Sequence, residues 1–261
     1  MVTQISQLIN PADYCGGKSL EQLRAEQQRT GGAQLTIFDD KTAEYAEKLA
    51  APKSLESINH RAEKAAQAMS YSDARQLFWM VLTDEAKGRG VKYQMTESLK
   101  TIIPGLLRYF IADPESPFPL EKGLFLYGQP GCGKTFLMQC LSSFTALYSP
   151  FRHFEFVSVP RIHADAISSG HADFAPHFQL DRCFDDVGFH NDTLSIFGNR
   201  VKPLEVIMTE RYNRHDRYGQ LTHFTSNLDP RNLATMFDQR VYDRCLQMFH
   251  PVQVGGQSFR K

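Results

Sequence analysis

Gly128-Gln129-Pro130-Gly131-Cys132-Gly133-Lys134-Thr135 stands between the apolar run Gly123–Tyr127 and an amphipathic stretch from Lys134 to Tyr148. The octet meets G-x-x-x-x-G-K-[ST] at every specified position. Each residue type in it has a physical task. Glycines let successive backbone N–H groups turn inward around phosphate oxygens, and the following helix aims its positive N-terminal end at them. The Lys134 ammonium can reach β- and γ-phosphates, and the Thr135 hydroxyl is a ligand for Mg²⁺. Gln129, Pro130 and Cys132 fill the unspecified positions of the same loop. ATP and Mg²⁺ are therefore the expected ligands of this P-loop.

Hydrolysis needs more than the loop: a carboxylate for the metal and a group that activates water. Leu180-Asp181-Arg182-Cys183-Phe184-Asp185-Asp186-Val187-Gly188 places two adjacent acids at the end of a strand expected over Leu180–Phe184, although Asp181 and Arg182 interrupt its apolar run. Asp185 is expected to hold Mg²⁺ through water. Asp186, directed to the other side, is expected to polarise the attacking water. His223-Phe224-Thr225-Ser226-Asn227-Leu228 ends another strand on an amide. Asn227 can lie between the two site strands and bond the γ-phosphate or the lytic water; alternatively, it caps the turn before Asp229-Pro230. Arg240 and Arg244, four residues apart, share one helix face. Each offers a planar fork suited to phosphoryl oxygens.

Outward from the loop, strand and helix patterns alternate. Phe154–Val159 reads as a strand, residues 161–168 as a helix, Pro203–Tyr212 as a helix and Leu221–Thr225 as a strand. Residues 231–249 read as mostly helical, and Val252–Val254 as a last strand. This rhythm predicts an α/β fold with a parallel sheet and helices on both faces. Upstream, Thr96–Ala112 is amphipathic, with Pro104 expected to kink the helix or start a fresh one. Ser57–Lys87 has a helical period around Phe78 and Trp79, whose expected role is core packing. Residues 1–55 are polar and rich in turn signals. Gly88-Arg89-Gly90 breaks the pattern, so residues 1–90 are expected to form a small, mostly helical N-terminal region and residues 91–261 the ATPase core.

Formal net charge is zero over 261 residues, so any anion site must be local. The five cysteines are scattered without metal-ligand spacing, which points away from a disulfide framework or a zinc site. No stretch approaches the roughly 20 apolar residues a membrane helix needs. The N-terminus lacks a signal-peptide pattern, and a reducing cytoplasm is the expected compartment.

The P-loop, Asp-Asp-Val-Gly at 185–188, Thr-Ser-Asn-Leu at 225–228, Arg-Val-Tyr-Asp-Arg at 240–244 and Gly-Gln-Ser-Phe-Arg at 256–260 occur in one order. That series resembles the bacterial helicase-loader ATPases of the DnaC type and the transposition helper ATPases of the IstB type, within the AAA+ superfamily. The resemblance spans residues 91–261. It implies an ATPase that assembles as a ring or spiral on DNA, with a replicative helicase or a transposase as partner and residues 1–90 contacting that partner. Arg244 would serve a neighbour's ATP as an arginine finger, with Arg240 beside it, and Arg260 would be a second sensor. Only residues 245–261 follow Arg244, which fits a core without a C-terminal lid. Candidates for DNA contact are Arg152, Arg161 and His163, and the basic stretch Lys202, Arg211, Arg214 and Arg217. Without a base-reading motif, single-stranded DNA or sequence-tolerant duplex held through phosphate contacts is the expected form, with single-stranded DNA preferred. A small-molecule P-loop kinase is the rival of a different class.

Overall fold

The structure is a computed structural model that describes residues 69–90, 95–148, 152–169, 174–188, 193–196 and 199–256, with Gln22 and Ala25. The expectations for residues 1–55, for the start of the Ser57–Lys87 helix and for Arg260 lie outside the described residues. Contacts group the chain into two units, Met1–Pro117 with Gln139–His153, and Phe118–Met138 with Phe154–Lys261.

In the first unit, α1 (Tyr71–Gly88) starts where the Ser70 hydroxyl accepts the Asp73 N–H at 3.2 Å. Its buried residues, Ala74, Leu77, Phe78, Val81 and Leu82, recur at helical spacing and form one stripe. Phe78 is fully buried and Trp79 half-buried, meeting edge-on with ring centroids 5.8 Å apart. Phe78 also meets Phe144 edge-on, and the Ser143 hydroxyl donates to Glu85 at 2.9 Å. The next helix, α2 (Glu97–Phe110), is capped by Thr96 and runs unbroken through Pro104. Pro104 lies on the exposed side, where water can take over the carbonyl it leaves free.

The second unit is built on a five-stranded sheet. In chain order the elements are β1 (Gly123–Tyr127), α3 (Lys134–Tyr148, which continues into the first unit), β2 (Glu155–Ser158), α4 (Val159–Ser169), β3 (Arg182–Val187), β4 (Leu194–Ile196), β5 (Asn199–Val201), α5 (Pro203–Tyr218), β6 (Thr222–Ser226), α6 (Pro230–Leu233), α7 (Gln239–Met248) and β7 (Phe249–Gln253). The strand order is β2-β3-β6-β1-β7 and every neighbouring pair is parallel. All five residues of β6 are buried. Because alternate residues point to opposite faces, both faces of the sheet are covered there. Phe184, Phe224 and Phe125 stand in register across β3, β6 and β1, and both neighbouring ring pairs meet edge-on at 6.1 Å. This is the P-loop α/β fold, with β6 inserted between the loop strand β1 and the acid-bearing strand β3.

The last strand, β7, starts at Phe249, three residues before the expected Val252, and four further differences from the sequence expectation each have a local reason. Strand β3 begins two residues later than Leu180. Asp181 lies outside it, accepting the Leu221 N–H at 2.9 Å, while Arg182 forms its first rung and pairs with Glu155 of β2. The polar residues thus cap the strand end and leave its apolar run intact. Helix α5 extends six residues past Tyr212 and ends at Gly219 in the left-handed region, φ 63°. Its last turns are polar and carry no apolar period. The helical stretch after Asp229 divides because two aspartates cap separate helices: Asp229 accepts the Asn232 N–H at 2.8 Å, and Asp238 the Val241 N–H at 2.9 Å. The antiparallel ribbon β4/β5 was not anticipated, since three-residue strands show too few alternations.

Among the described residues, Arg211 is the largest fully buried side chain. Its guanidinium donates to the Thr222 hydroxyl at 2.7 Å and to the carbonyls of His177, Leu180 and Leu221 at 3.0, 3.0 and 2.7 Å. Burial pulls its pKa down to about 9, still above neutrality, so the charge persists at pH 7. Arg211 therefore pins an irregular loop to the sheet end, and its candidacy as a DNA contact is withdrawn. Arg152 is withdrawn too, being buried over the Tyr109 ring at 5.0 Å.

Candidate functional site

The P-loop joins β1 to α3. Gly128 hydrogen-bonds β6 through its N–H to the Ser226 carbonyl at 3.3 Å. A Cβ on Gly128 would lie 2.1 Å from the Val254 carbonyl oxygen, so no other residue fits where the chain leaves β1. Gly131 and Gly133 have φ of 81° and 95°, the left-handed backbone that turns consecutive N–H groups to one side. The cradle expected for phosphate is thus built into the backbone.

Lys134 is the first residue of α3 and only 4 % exposed. Its ammonium donates to the carbonyls of Gly128 and Gln129 at 2.9 and 3.0 Å, and to Asn227 Oδ1 at 3.0 Å. Cys132 Sγ lies 3.6 Å from the same nitrogen. Asn227 stands one residue past β6, between the loop strand and the acid strand, and its amide meets the P-loop cation. Asp229, two residues on, caps the helix that follows, accepting the Asn232 N–H at 2.8 Å.

Thr135 donates from its hydroxyl to Asp185 Oδ1 at 2.9 Å. The hydroxyl of Thr225, on β6, donates to the same carboxylate oxygen and accepts the Asp186 N–H at 3.1 Å. Strand pairing slips between Phe184 and Val187, and Asp186 has φ of 57°. A left-handed conformation is costly for a non-glycine residue, and bulges of this kind redirect side chains. The two adjacent acids are consequently split: Asp185 is buried against Thr135 and Thr225, and Asp186 is half-buried and lies on the bulge. Burial pushes the Asp185 carboxyl above the usual carboxylate range, and the hydrogen bonds from Thr225 and Thr135 pull it partly back.

The donor set suits Mg²⁺. Among the described residues no group of three or more His, Cys, Asp or Glu could enclose a metal. Mg²⁺ keeps several waters and takes one or two protein oxygens together with phosphate oxygens, which is what Thr135 and Asp185 offer.

Arg240 is exposed, in the first turn of α7, and Arg244 is half-buried one turn on. The Arg244 guanidinium lies over the Tyr212 ring at 5.0 Å. Among the described residues no hydrogen bond or ion pair joins either arginine to the P-loop, Asp185, Asp186 or Asn227. The structure thus brings together Lys134, Thr135, Asp185 and Asn227, ties Asp186 to them through Thr225, and leaves Arg240 and Arg244 outside that network. Of the remaining DNA candidates, Arg161 and Arg214 pair with Asp165 and Glu210 on their own helices, Lys202, the N-cap of α5, pairs with Glu205, and Arg217 is exposed.

Sequence reasoning missed Thr225 and Ser226. Thr225 bridges both acids, and the Ser226 hydroxyl donates to the Val187 carbonyl and accepts the Leu228 N–H at 2.9 Å. The available signal was two consecutive hydroxyl residues at the end of a strand buried on both faces, where each must find a partner.

No family model matches the chain, and a search of curated proteins returns no match. Solved structures do show likeness. A primosome component from Streptococcus pyogenes serotype M3 is 21 % identical at a TM-score of 0.45, the match covering 63 % of this chain and 84 % of that one. A DnaC helicase loader is 18 % identical at a TM-score of 0.44, covering 63 % and 94 %. DnaA from Aquifex aeolicus, solved with AMPPCP, is 15 % identical at a TM-score of 0.43, covering 62 % of this chain and 48 % of that one. At this distance none of the three assigns an activity to this chain. Among the described residues, no helix is long and apolar enough to cross a membrane.

Proposed function

We propose that this chain is an AAA+ ATPase that binds ATP and Mg²⁺, assembles with copies of itself on DNA, and acts on a replicative helicase. The observation that carries the nucleotide part is the convergence of Lys134 with Asn227 and of Thr135 with Asp185, through hydrogen bonds of 3.0 and 2.9 Å. The replication part rests on the ordered motif series and its resemblance to DnaC-type loaders. Residues 91–261 would be the ATPase core and residues 1–90 the region that contacts the partner.

In this reading the P-loop N–H groups and Lys134 bind the β- and γ-phosphates. Mg²⁺, when bound, would neutralise phosphate charge. Thr135 and Asp185 are the residues that would hold it. Asp186 orients the attacking water and accepts its proton, while Asn227 fixes the γ-phosphate or that water. Transition-state charge needs a further cation, and Arg244 supplies it to the pocket of an adjacent subunit, with Arg240 beside it. Arginines acting this way contribute roughly 10³- to 10⁵-fold in rate. Arg260 would be a second sensor.

The test is a mixture of two inactive variants. Lys134→Ala breaks its own pocket but keeps Arg244; Arg244→Ala keeps the pocket but lacks the cation. Each alone should hydrolyse ATP very slowly, and mixing should restore part of the activity. A mixture that stays inactive where wild-type subunits assemble would overturn assembly-dependent catalysis. Stimulation by single-stranded DNA over duplex separates helicase loading from a role on duplex target DNA. Phosphoryl transfer to a small acceptor by isolated subunits would favour the kinase.

A further inference from the structure

We infer that Tyr212 is a positioning residue for Arg244, holding its guanidinium in the orientation the neighbouring pocket requires. The inference rests on the proposed role of Arg244 in trans and names the residue on which that role depends.

Three observations converge on Tyr212. First, its ring lies beneath the Arg244 guanidinium at 5.0 Å, a cation–π separation. Second, its hydroxyl donates to Gln247 Oε1 at 2.9 Å. Gln247 stands three residues beyond Arg244, on the same exposed face of α7, because Val241, Cys245 and Met248 turn the other face inward. Third, α5, which carries Tyr212, also grips the start of α7: Glu205 accepts the Asp238 N–H at 2.9 Å and the Lys202 ammonium at 2.7 Å. Asp238 is the N-cap of α7. Helix α7 is thus tied to α5 at its first turn through Glu205 and near its last through Tyr212. Arg244 projects between the two ties.

A long, flexible arginine on a solvent-facing helix samples many rotamers, and catalysis across an interface uses only those aimed at the neighbour. A flat aromatic surface on one side of the guanidinium removes many of the others before the subunits meet. Such preorganisation lowers the entropy lost in reaching the transition state. Arg240 is exposed, and among the described residues it meets no aromatic ring, so the two arginines, alike in spacing, are held differently.

The mixing assay isolates this role when Tyr212 is changed in one partner at a time. The finger donor is Lys134→Ala, and the pocket is supplied by Arg244→Ala. Tyr212→Leu in the donor should lower the recovered activity about tenfold, and Tyr212→Phe, which keeps the ring, should remain within about threefold. Tyr212→Leu in the pocket partner should leave the recovered activity unchanged, because that subunit has no Arg244 to orient. A purely structural role of Tyr212 would lower activity from either side. In an otherwise wild-type chain, Tyr212→Leu should reduce kcat with KM for ATP unchanged. Equal loss from both partners, or full activity with the Leu donor, overturns the inference and leaves the finger standing. Failure of the parent mixture to recover instead overturns the finger itself.

Discussion

Replacing Thr225 by valine isolates the part of the site that sequence reasoning missed. Valine matches threonine in shape, so packing in β6 is kept and only the hydroxyl is lost. That hydroxyl serves two groups, donating to the Asp185 carboxylate and accepting the Asp186 N–H at 3.1 Å. Leaving the N–H unpaired and depriving the buried carboxylate of one donor should destabilise the protein by about 2–4 kcal/mol. The chemistry should shift as well. Burial already raises the Asp185 pKa, and the Thr225 hydrogen bond opposes that rise. With a raised folded pKa, this carboxyl favours the fold at low pH, and the contribution is lost as pH rises through the folded value. In the proposed reading Mg²⁺ would need the carboxylate, so its binding would run the other way and weaken as pH falls through the same value. In Thr225→Val the weakening should begin at higher pH than in the wild type. The assays are thermal unfolding without nucleotide and calorimetric titration of Mg²⁺ with ATP across weakly acidic to neutral pH. Unchanged unfolding together with an unchanged pH profile would show that the bridge from Thr225 to the two acids does not act as described.

Asp186→Asn should keep ATP affinity and slow turnover by roughly 10²- to 10⁴-fold, the usual contribution of a positioned base; normal single-turnover hydrolysis would remove Asp186 from the mechanism. Arg211→Met should destabilise the chain by at least about 3 kcal/mol, through the buried carbonyls it leaves unpaired, while the DNA binding proposed for the chain should be unchanged in the folded fraction. A stable Arg211→Met that loses DNA binding would return Arg211 to the surface. Leu180 is exposed yet has φ of 62°, so Leu180→Gly should relieve strain and leave the unfolding temperature equal or higher; a clear loss of stability would mean that its side chain packs more than its exposure suggests.

The P-loop was legible in sequence because its chemistry is local: eight consecutive residues fix both the backbone turn and the ligands. The order of the strands was less so, yet the placement of Asn227 between the two site strands follows from two strands ending in polar residues. What escaped depends on contacts between residues distant along the chain. Thr225 reaches the acids 40 positions away, and nothing in the run from His223 to Leu228 distinguishes it from an ordinary strand threonine. In sequence Arg211 belongs to a basic stretch with Lys202, Arg214 and Arg217, and nothing local sets it apart from those surface charges. Its burial becomes visible only when the carbonyls of a loop 31 to 34 positions upstream are seen to be its acceptors. The end of α5 was lost for the related reason that solvent-facing turns carry no apolar period.

The loop beneath Arg211 has a practical use. Between His177 and Leu180 its shape is set by carbonyl groups that one guanidinium gathers, and carbonyls are the same whatever side chain the residue bears. Gln179 is exposed there, and its own contribution to the Arg211 cluster is its backbone oxygen. A thiol placed at position 179 would therefore sit on an anchored backbone, three residues ahead of the strand that carries the acid pair. The four cysteines at 132, 140, 183 and 245 are all buried, and burial pushes the thiols of Cys140 and Cys245 up to about 12. With Cys15 replaced, a single spectroscopic label at position 179 would turn this structural staple into a fixed reference mark, from which movements of α7 or of a second subunit could be measured as distances.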